Sequence, residues 1–327
     1  MSANPIWIAG YFGPVAGASP VWIAPGDGTV PSAVQSEIVS YYAPVAGATA
    51  VWVAGFFAPP PAVIGATPIT ISGWGGSGGG GPIHSAEALA YLARTVGGNE
   101  GGNGENIATL IDGLVSDGVW AKLDALYVLA QQNQTDALLN LVGTSYSLAA
   151  SLFLDRVASF TSYVGFNNFG ILNTNFDPTV APSPHYIMND AGFGVWTYAV
   201  IQEDYPQIGQ FTADTSASIY NKFTDGTFIS VVNGGGYSRT PSTITEGLFA
   251  AERFDASNVH PYQNGVSAGA IASASAPVRS APFVIGNVNG PSAQTLSAAF
   301  IGASLGAAGQ LALYNRLRTY MTAVGVP

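Results

Sequence analysis

Residues 281–327 leave the fewest alternatives for how this chain folds. A short apolar run, 281–287, passes through Asn289-Gly290 into a segment where Leu296, Ala298 and Phe300 alternate with small or polar neighbours, the period of a half-buried strand. A helix follows. Ser304 is placed to cap it, and Leu311, Tyr314, Leu317 and Met321 recur every three or four residues. Arg316 and Arg318 stand near its C-terminal end, where positive charge suits the dipole, and Gly325 and Pro327 stop it. A helix with one apolar face at the end of a β-rich chain has to lay that face on a sheet, so the segment reads as the lock on a β-sandwich.

Further strands are expected upstream. The clearest are 196–200, 247–251 and 283–286, with turn signals at Asn167-Asn168, Asp225-Gly226, Asn233-Gly234-Gly235-Gly236 and Asn264-Gly265. Many short strands at such spacing imply a sandwich or jelly roll. The period is different before residue 142. Ser85 is placed to cap a helix carrying Ala88, Leu89, Tyr91 and Leu92, and Ile107, Leu110, Ile111 and Leu114 mark a second. Trp120, Leu123, Leu126 and Tyr127 have helical spacing over 117–130, and Thr135 is placed to cap a turn that ends in 138–142. The Gly-rich stretch 97–104 lacks the Lys-Ser/Thr of a P-loop and no strand precedes it, so it reads as a linker between helices.

Residues 1–83 contain two charged side chains, Asp27 and Glu37, and they repeat: 11–24 returns at 41–54, and 6–14 matches 51–59. Each copy is a short run of β-branched and aromatic residues between Pro and Gly, too small to bury its own tryptophan, and repeats of that kind are stabilised by stacking on copies or on another protein. The expected organisation is an anchor arm over 1–74, a Gly-rich hinge over 75–83, a short helical connector over 84–116 and a sandwich domain over 117–327. Trp7, Trp22, Trp52, Phe56 and Phe57 are the expected anchoring and assembly residues. No basic residue precedes the first apolar stretch, and Pro5, Gly10, Gly13 and Pro14 interrupt it, so neither a signal peptide nor a membrane-inserted helix is expected.

Composition narrows the function. Only 9 % of the residues are charged and 41 are glycine, which suits a surface covered by neighbours of its own kind; a homo-oligomer, with a trimer favoured, is expected. The net charge of −10 excludes a nucleic-acid partner, and the absence of cysteine removes thiolate metal sites and thiol nucleophiles. His84, His185 and His260 are far apart in sequence and read as surface or turn residues.

From Asp117 onward the chain carries an ordered series of phrases: Asp117-Gly118-Val119-Trp120, Asn175-Phe176-Asp177-Pro178, Gly194-Val195-Trp196, Gly247-Leu248-Phe249-Ala250-Ala251-Glu252-Arg253, Tyr262-Gln263-Asn264-Gly265 and Ala298-Ala299-Phe300-Ile301-Gly302-Ala303-Ser304-Leu305. The series resembles a family of phage and prophage proteins with a concanavalin A-like (laminin-G-like) sandwich. That resemblance implies a jelly-roll fold and a virion- or tail-associated protein, made in the host cytoplasm and carried on the particle surface.

Sandwiches of this kind include glycan binders and some glycoside hydrolases. Glu246 and Glu252 flank one strand but would lie roughly 20 Å apart, whereas glycosidase carboxylates sit within about 5–10 Å of each other. Glu203 and Asp204 are adjacent and would point to opposite faces, and no Gly-x-Ser-x-Gly elbow exists. No enzyme is expected. Sugar binding needs only an aromatic platform with polar neighbours, and Phe166, Asn168, Asn175, Asp177, Tyr186, Tyr237 and Arg239 are the candidates, with a weak calcium option at Asp177. Tyr237 and Arg239 could equally line a loop that touches a partner. Two functions follow. One is a phage structural protein (tail fibre, head fibre or capsid decoration), held to other virion proteins by residues 1–83. The other is a lectin-like adhesin for host-surface polysaccharide.

Overall fold

The computed structural model describes residues 84–96, 102–151, 158–167, 170–210, 217–286 and 292–327, all within one compact unit, 84–327. The expected anchor, with Trp7, Trp22, Trp52, Phe56 and Phe57, and the hinge lie outside the described residues.

In chain order the structure forms α1 (Ala86–Leu92), α2 (Gly102–Ser116), a 3-10 turn at Trp120–Lys122, β1 (Leu123–Val128) and α3 (Gln134–Ala137). Four short strands follow: β2 (Ala149–Ser151), β3 (Phe160–Thr161), β4 (Gly165–Asn167) and β5 (Ile171–Asn173). Next are β6 (Ala191–Thr197), β7 (Ile208–Gln210), β8 (Ala217–Tyr220), β9 (Thr227–Val232), β10 (Ser238–Pro241) and β11 (Gly247–Arg253). The last elements are β12 (Asn258–Gln263), β13 (Val266–Ser267), β14 (Ile271–Ala272), β15 (Phe283–Gly286), β16 (Thr295–Gly302) and α4 (Gly306–Val324).

Two antiparallel sheets result, so the fold is mainly β with a closing helix, as expected. The first sheet runs β13-β12-β11-β6-β16-β4-β3, with β1 also on β16 and β14 on β12; the second runs β10-β9-β8-β7-β15-β5-β2. Strand alternation sends the first sheet's side chains into two different cores. On one face Leu126, Val128, Trp196, Leu248, Ala298 and Phe300 pack with α1, α2 and α4. On the other, Tyr127, Phe193, Val195, Phe249, Ala299 and Ile301 meet Ile208, Ile219, Phe228, Phe283 and Ile285 of the second sheet. The order is helices, sheet, sheet. Gly194 permits the tight centre of the first sheet, since a Cβ there would lie 2.6 Å from the Phe300 ring and 2.7 Å from the Phe249 carbonyl.

Four expectations are corrected here. Residues 84–116 are no connector ahead of the sandwich: α1 and α2 share a core with its first sheet. The helix expected over 117–130 is a 3-10 turn and strand β1, paired with β16. A strand buried on both faces reads as a continuous apolar run, and such a run also satisfies helical spacing by chance. The helix α4 does exist and ends at Gly325, which adopts φ 82°, but the face it buries is turned from the expected one. Gln310, Leu313, Leu317, Tyr320 and Met321 are buried, whereas Leu311 is 45 % exposed. Ser304 does not cap α4; its N–H and hydroxyl both donate to Asp190 Oδ1.

A buried polar chain ties the helical layer together. Tyr320 Oη donates to the Ala130 carbonyl (2.8 Å) and lies 3.1 Å from Asn103 Oδ1; Asn103 donates to Gln131, and Gln131 to Tyr91 Oη. Every buried member has a partner, so the chain specifies geometry without orphaned polar atoms.

His84 is neither a surface nor a turn residue in this layer. Its ring is 7 % exposed and lies between two carboxylates, with Nδ1 2.7 Å from Asp112 and Nε2 3.1 Å from Glu105. Burial alone would depress the imidazole, but the hydrogen bonds to Asp112 and Glu105, with their charges, outweigh it and hold the pKa above its ordinary 6.5. Only the protonated ring donates from both nitrogens. A raised folded-state pKa stabilises fully below the unfolded value and ceases to do so as pH rises through the folded one. Thermal unfolding of the chain and of His84→Gln between about pH 5.5 and 8.5 is expected to show a stability gap that narrows as pH rises. A gap that stays constant or widens would refute the ion-pair account.

Candidate functional site

The connection from β9 to β10 starts at Asn233, which is buried at φ 44°, a left-handed conformation that Asn tolerates. Its Oδ1 accepts from Tyr186 Oη (2.9 Å), its Nδ2 donates to the carbonyls of Ile187 and Met188 (3.1 Å each), and its own carbonyl accepts from Ala276 N–H (2.7 Å). Gly234 forms a β-bridge with Ser275. Ser273 and Ser275 N–H donate to the carbonyls of Ser257 and Ala256. These bonds bring the segments around 187, 233–238, 254–257 and 272–276 together at one end of the sandwich. Ile187, Met188, Tyr237 and Phe254, all large apolar side chains, are exposed there, and Phe254 stacks on His260 with ring centroids 4.1 Å apart.

Residues 235–238 and 272–274 line a cleft of about 250 Å³ in this cluster. Gly235 and Gly236 have nothing within 4 Å of where a Cβ would be, so main chain alone forms that part of the wall. Tyr237 is 53 % exposed beside it. Its ring packs edge-on to Tyr220 (6.0 Å, 88°), and the Arg239 guanidinium lies 5.7 Å from its centroid and 5.0 Å from that of Phe223. Arg239 also pairs with Asp225. Burial, and then the hydrogen bond and charge of Tyr237, push the Tyr220 phenol well above its usual range, so it stays neutral. Ser238 Oγ, buried in the cleft lining, has no hydrogen-bond partner among the described residues.

Behind the lining lies Arg253, fully buried at the end of β11. Its Nε donates to the Val232 carbonyl (2.7 Å) and Nη1 to the Ser273 carbonyl (2.8 Å), with the Asp255 carbonyl at 3.4 Å. Nη2 has only Ser273 Oγ, at 3.4 Å.

Of the residues expected to bind sugar, the structure brings two together, Tyr237 and Arg239. Phe166 and Tyr186 are corrections. Phe166 is buried with its ring 5.3 Å from Phe160, and Tyr186 is fully buried, edge-on to Phe283 at 5.1 Å. Neither presents a face to a ligand. Asn175 adopts φ 57° and donates to the Ser147 carbonyl. The Asp177 carboxylate accepts from the N–H and hydroxyl of Thr179 and from the Ser280 hydroxyl, which makes it a turn former. Among the described residues no group of three or more His, Cys, Asp or Glu side chains could hold a metal ion. Asn168 lies outside the described residues. Sequence reasoning missed Arg253, Ser238 and the serines of 272–276; the one local signal was the glycine run just before Tyr237.

Two of the carboxylates considered for catalysis have other work. Glu252 is fully buried and accepts from Tyr262 Oη (2.7 Å), Gln310 Nε2 (3.0 Å) and the N–H groups of Leu305 (2.9 Å) and Gly306 (3.1 Å). Glu203 accepts from Gln207, Ser292, Gln294 and the Ala293 N–H.

No protein-family model matches the chain, and no curated protein does. Among solved structures it is similar to a botulinum neurotoxin serotype D binding domain (11 % identity, TM-score 0.44, 60 % of this chain and 52 % of that one). It is similar also to Trypanosoma rangeli sialidase in complex with sialic acid (10 %, TM-score 0.41, 61 % and 34 %). A third is domain 4 of a GH43 extracellular arabinanase from Geobacillus stearothermophilus in complex with arabinotriose (15 %, TM-score 0.39, 59 % and 98 %). The chain spans about half the length of the first of these. At such scores no functional statement follows from them.

Proposed function

We propose that residues 84–327 are a non-catalytic recognition module, a concanavalin A-like sandwich that binds a saccharide in the cleft beside Tyr237. The observation that carries the proposal is the half-exposed Tyr237 ring standing next to a wall of bare main chain at Gly235 and Gly236. Sugar rings are recognised by stacking their C–H faces on an aromatic ring while hydroxyls bond to a few fixed polar groups, and the cleft supplies both elements. Its volume, about 250 Å³, falls just below the roughly 300–1,000 Å³ of drug-sized sites, which suits one unit of a longer glycan. The Glu203 and Glu252 carboxylates, each engaged by four donors, favour binding over hydrolysis.

Tyr237→Ala in the full chain is expected to weaken glycan binding about 30-fold, the loss of one aromatic anchor worth about 2 kcal/mol. Unfolding should change by no more than about 1 kcal/mol, because the ring is half in solvent. Calorimetric titration beside urea unfolding separates the two effects. Unchanged affinity would remove Tyr237 from the site and sink the proposal.

The nearly uncharged repeat of residues 1–83 favours a second element: the module is carried on a phage particle, with that arm bound to other virion proteins. Particles made with a chain lacking 1–83 should then lack the module. Its retention on them would place the attachment elsewhere.

A further inference from the structure

We propose, building on the saccharide reading, that the cleft selects an acidic saccharide, whose carboxylate is the counter-ion of the buried Arg253. A fully buried guanidinium is normally paired with a carboxylate or phosphate, because an uncompensated charge in a poorly screened interior is costly. Among the described residues no carboxylate pairs with Arg253 directly, although the Asp255 charge nearby partly offsets the effect of burial on it. Its acceptors are the carbonyls of Val232, Ser273 and Asp255 and the Ser273 hydroxyl, all formally neutral. The Asp255 carboxylate is turned to its own loop, where it accepts from Ser257 and Asn258. Nη2 has a single long contact and so keeps hydrogen-bonding capacity unspent.

That unspent end faces the cleft wall. A Cβ on Gly234 would lie 3.1 Å from Arg253 Nη2 and 3.1 Å from Ser273 Oγ, so the guanidinium sits directly against the strand of wall that continues into Gly235 and Gly236. Ser273, which takes two of the Arg253 contacts, itself lines the cleft. Ser238, on the opposite side of the lining, adds a buried hydroxyl with no partner among the described residues. The charge of Arg239, beside Tyr237, is instead answered by Asp225. A chain of net charge −10 thus holds, one layer beneath its cleft, a positive charge with no direct ion-pair partner among the described residues.

The test is nuclear magnetic resonance titration of the full chain with the methyl glycosides of glucuronate, galacturonate and N-acetylneuraminate. Each is paired with its carboxyl-reduced, neutral counterpart. The expected result is that at least one acidic glycoside binds 10-fold or more tightly than its reduced form, shifting the amides of Gly235, Gly236 and Tyr237 and the Arg253 Nε–H signal. Equal affinity within every pair would overturn the inference and leave the saccharide reading standing. No perturbation of the cleft by any of the six would remove both. Arg239→Gln, a surface substitution, should retain the acidic preference; its loss there would assign the charge to Arg239 and overturn the role of Arg253.

Discussion

Glu252→Ala should destabilise the chain by about 4 kcal/mol, read from the midpoint and slope of urea unfolding. The carboxylate sits on β11, on the face toward the helices, and takes four donors at once: Tyr262 Oη, Gln310 Nε2 and the Leu305 and Gly306 N–H groups. Two of these are the free N–H groups that begin α4. A helix normally caps them with a nearby Ser, Thr, Asp or Asn, but the residue in that position is Leu305, which makes no side-chain cap. The sheet therefore supplies the cap from more than fifty positions upstream, with a full negative charge against the positive end of the helix dipole. Truncation leaves four donors buried without acceptors, each costing about 1–3 kcal/mol before water enters the cavity. Glu252→Gln keeps the shape and one carbonyl but points an NH₂ at N–H donors, so about half the loss is expected. An Ala variant within about 1 kcal/mol of the parent would mean that the helix is held by its apolar face alone.

The same carboxylate shows what was legible in the sequence and what was not. The strands over 247–251 and 283–286 could be read because their apolar and β-branched residues lie between turn signals, whereas the one expected over 196–200 shares only Trp196 and Thr197 with β6; the end of α4 could be read because Gly325 is a local cap. The face of α4 could not. Leu311 looked inward by side-chain type, but Gln310 is the buried residue, because its amide reaches Glu252; that partner is distant in sequence. Strand β1 was misread for a related reason. With helices over Leu126 and Val128 and the second sheet under Ala125 and Tyr127, it has no polar face, and alternation was the signal that would have identified it.

The cleft divides in the same way. Tyr237 was legible because it follows three glycines and precedes a strand whose exposed positions are Arg239 and Pro241. Tyr186 sits in an equally polar local setting, yet its hydroxyl is satisfied inside the fold by Asn233, and a buried tyrosine with a partner is core. Arg253 carried no local sign of its role, since its acceptors come from β9 and from residues 255–273.

Trp196→Ala should cost about 4 kcal/mol, in the range for removing a large buried aromatic side chain. Trp196 is fully buried on β6, beside Leu248 and Ala298 in neighbouring strands. Its ring stacks on Tyr314 of α4 at 5.7 Å and 10°, with the Arg318 guanidinium 5.3 Å from its centroid. It holds the middle of the helix that Glu252 holds at its start. If α4 docks on the first sheet as one cooperative element, either substitution alone forfeits much of the docking energy, and the double variant should lose clearly less than the sum of the two, by about 1–3 kcal/mol. A double-mutant cycle of urea unfolding on the four proteins measures that term directly. Losses that add to within about 0.5 kcal/mol would mean that the two anchors act independently. The helix would then be two contacts in series, and a chain lacking either would still keep the other half of it on the sheet.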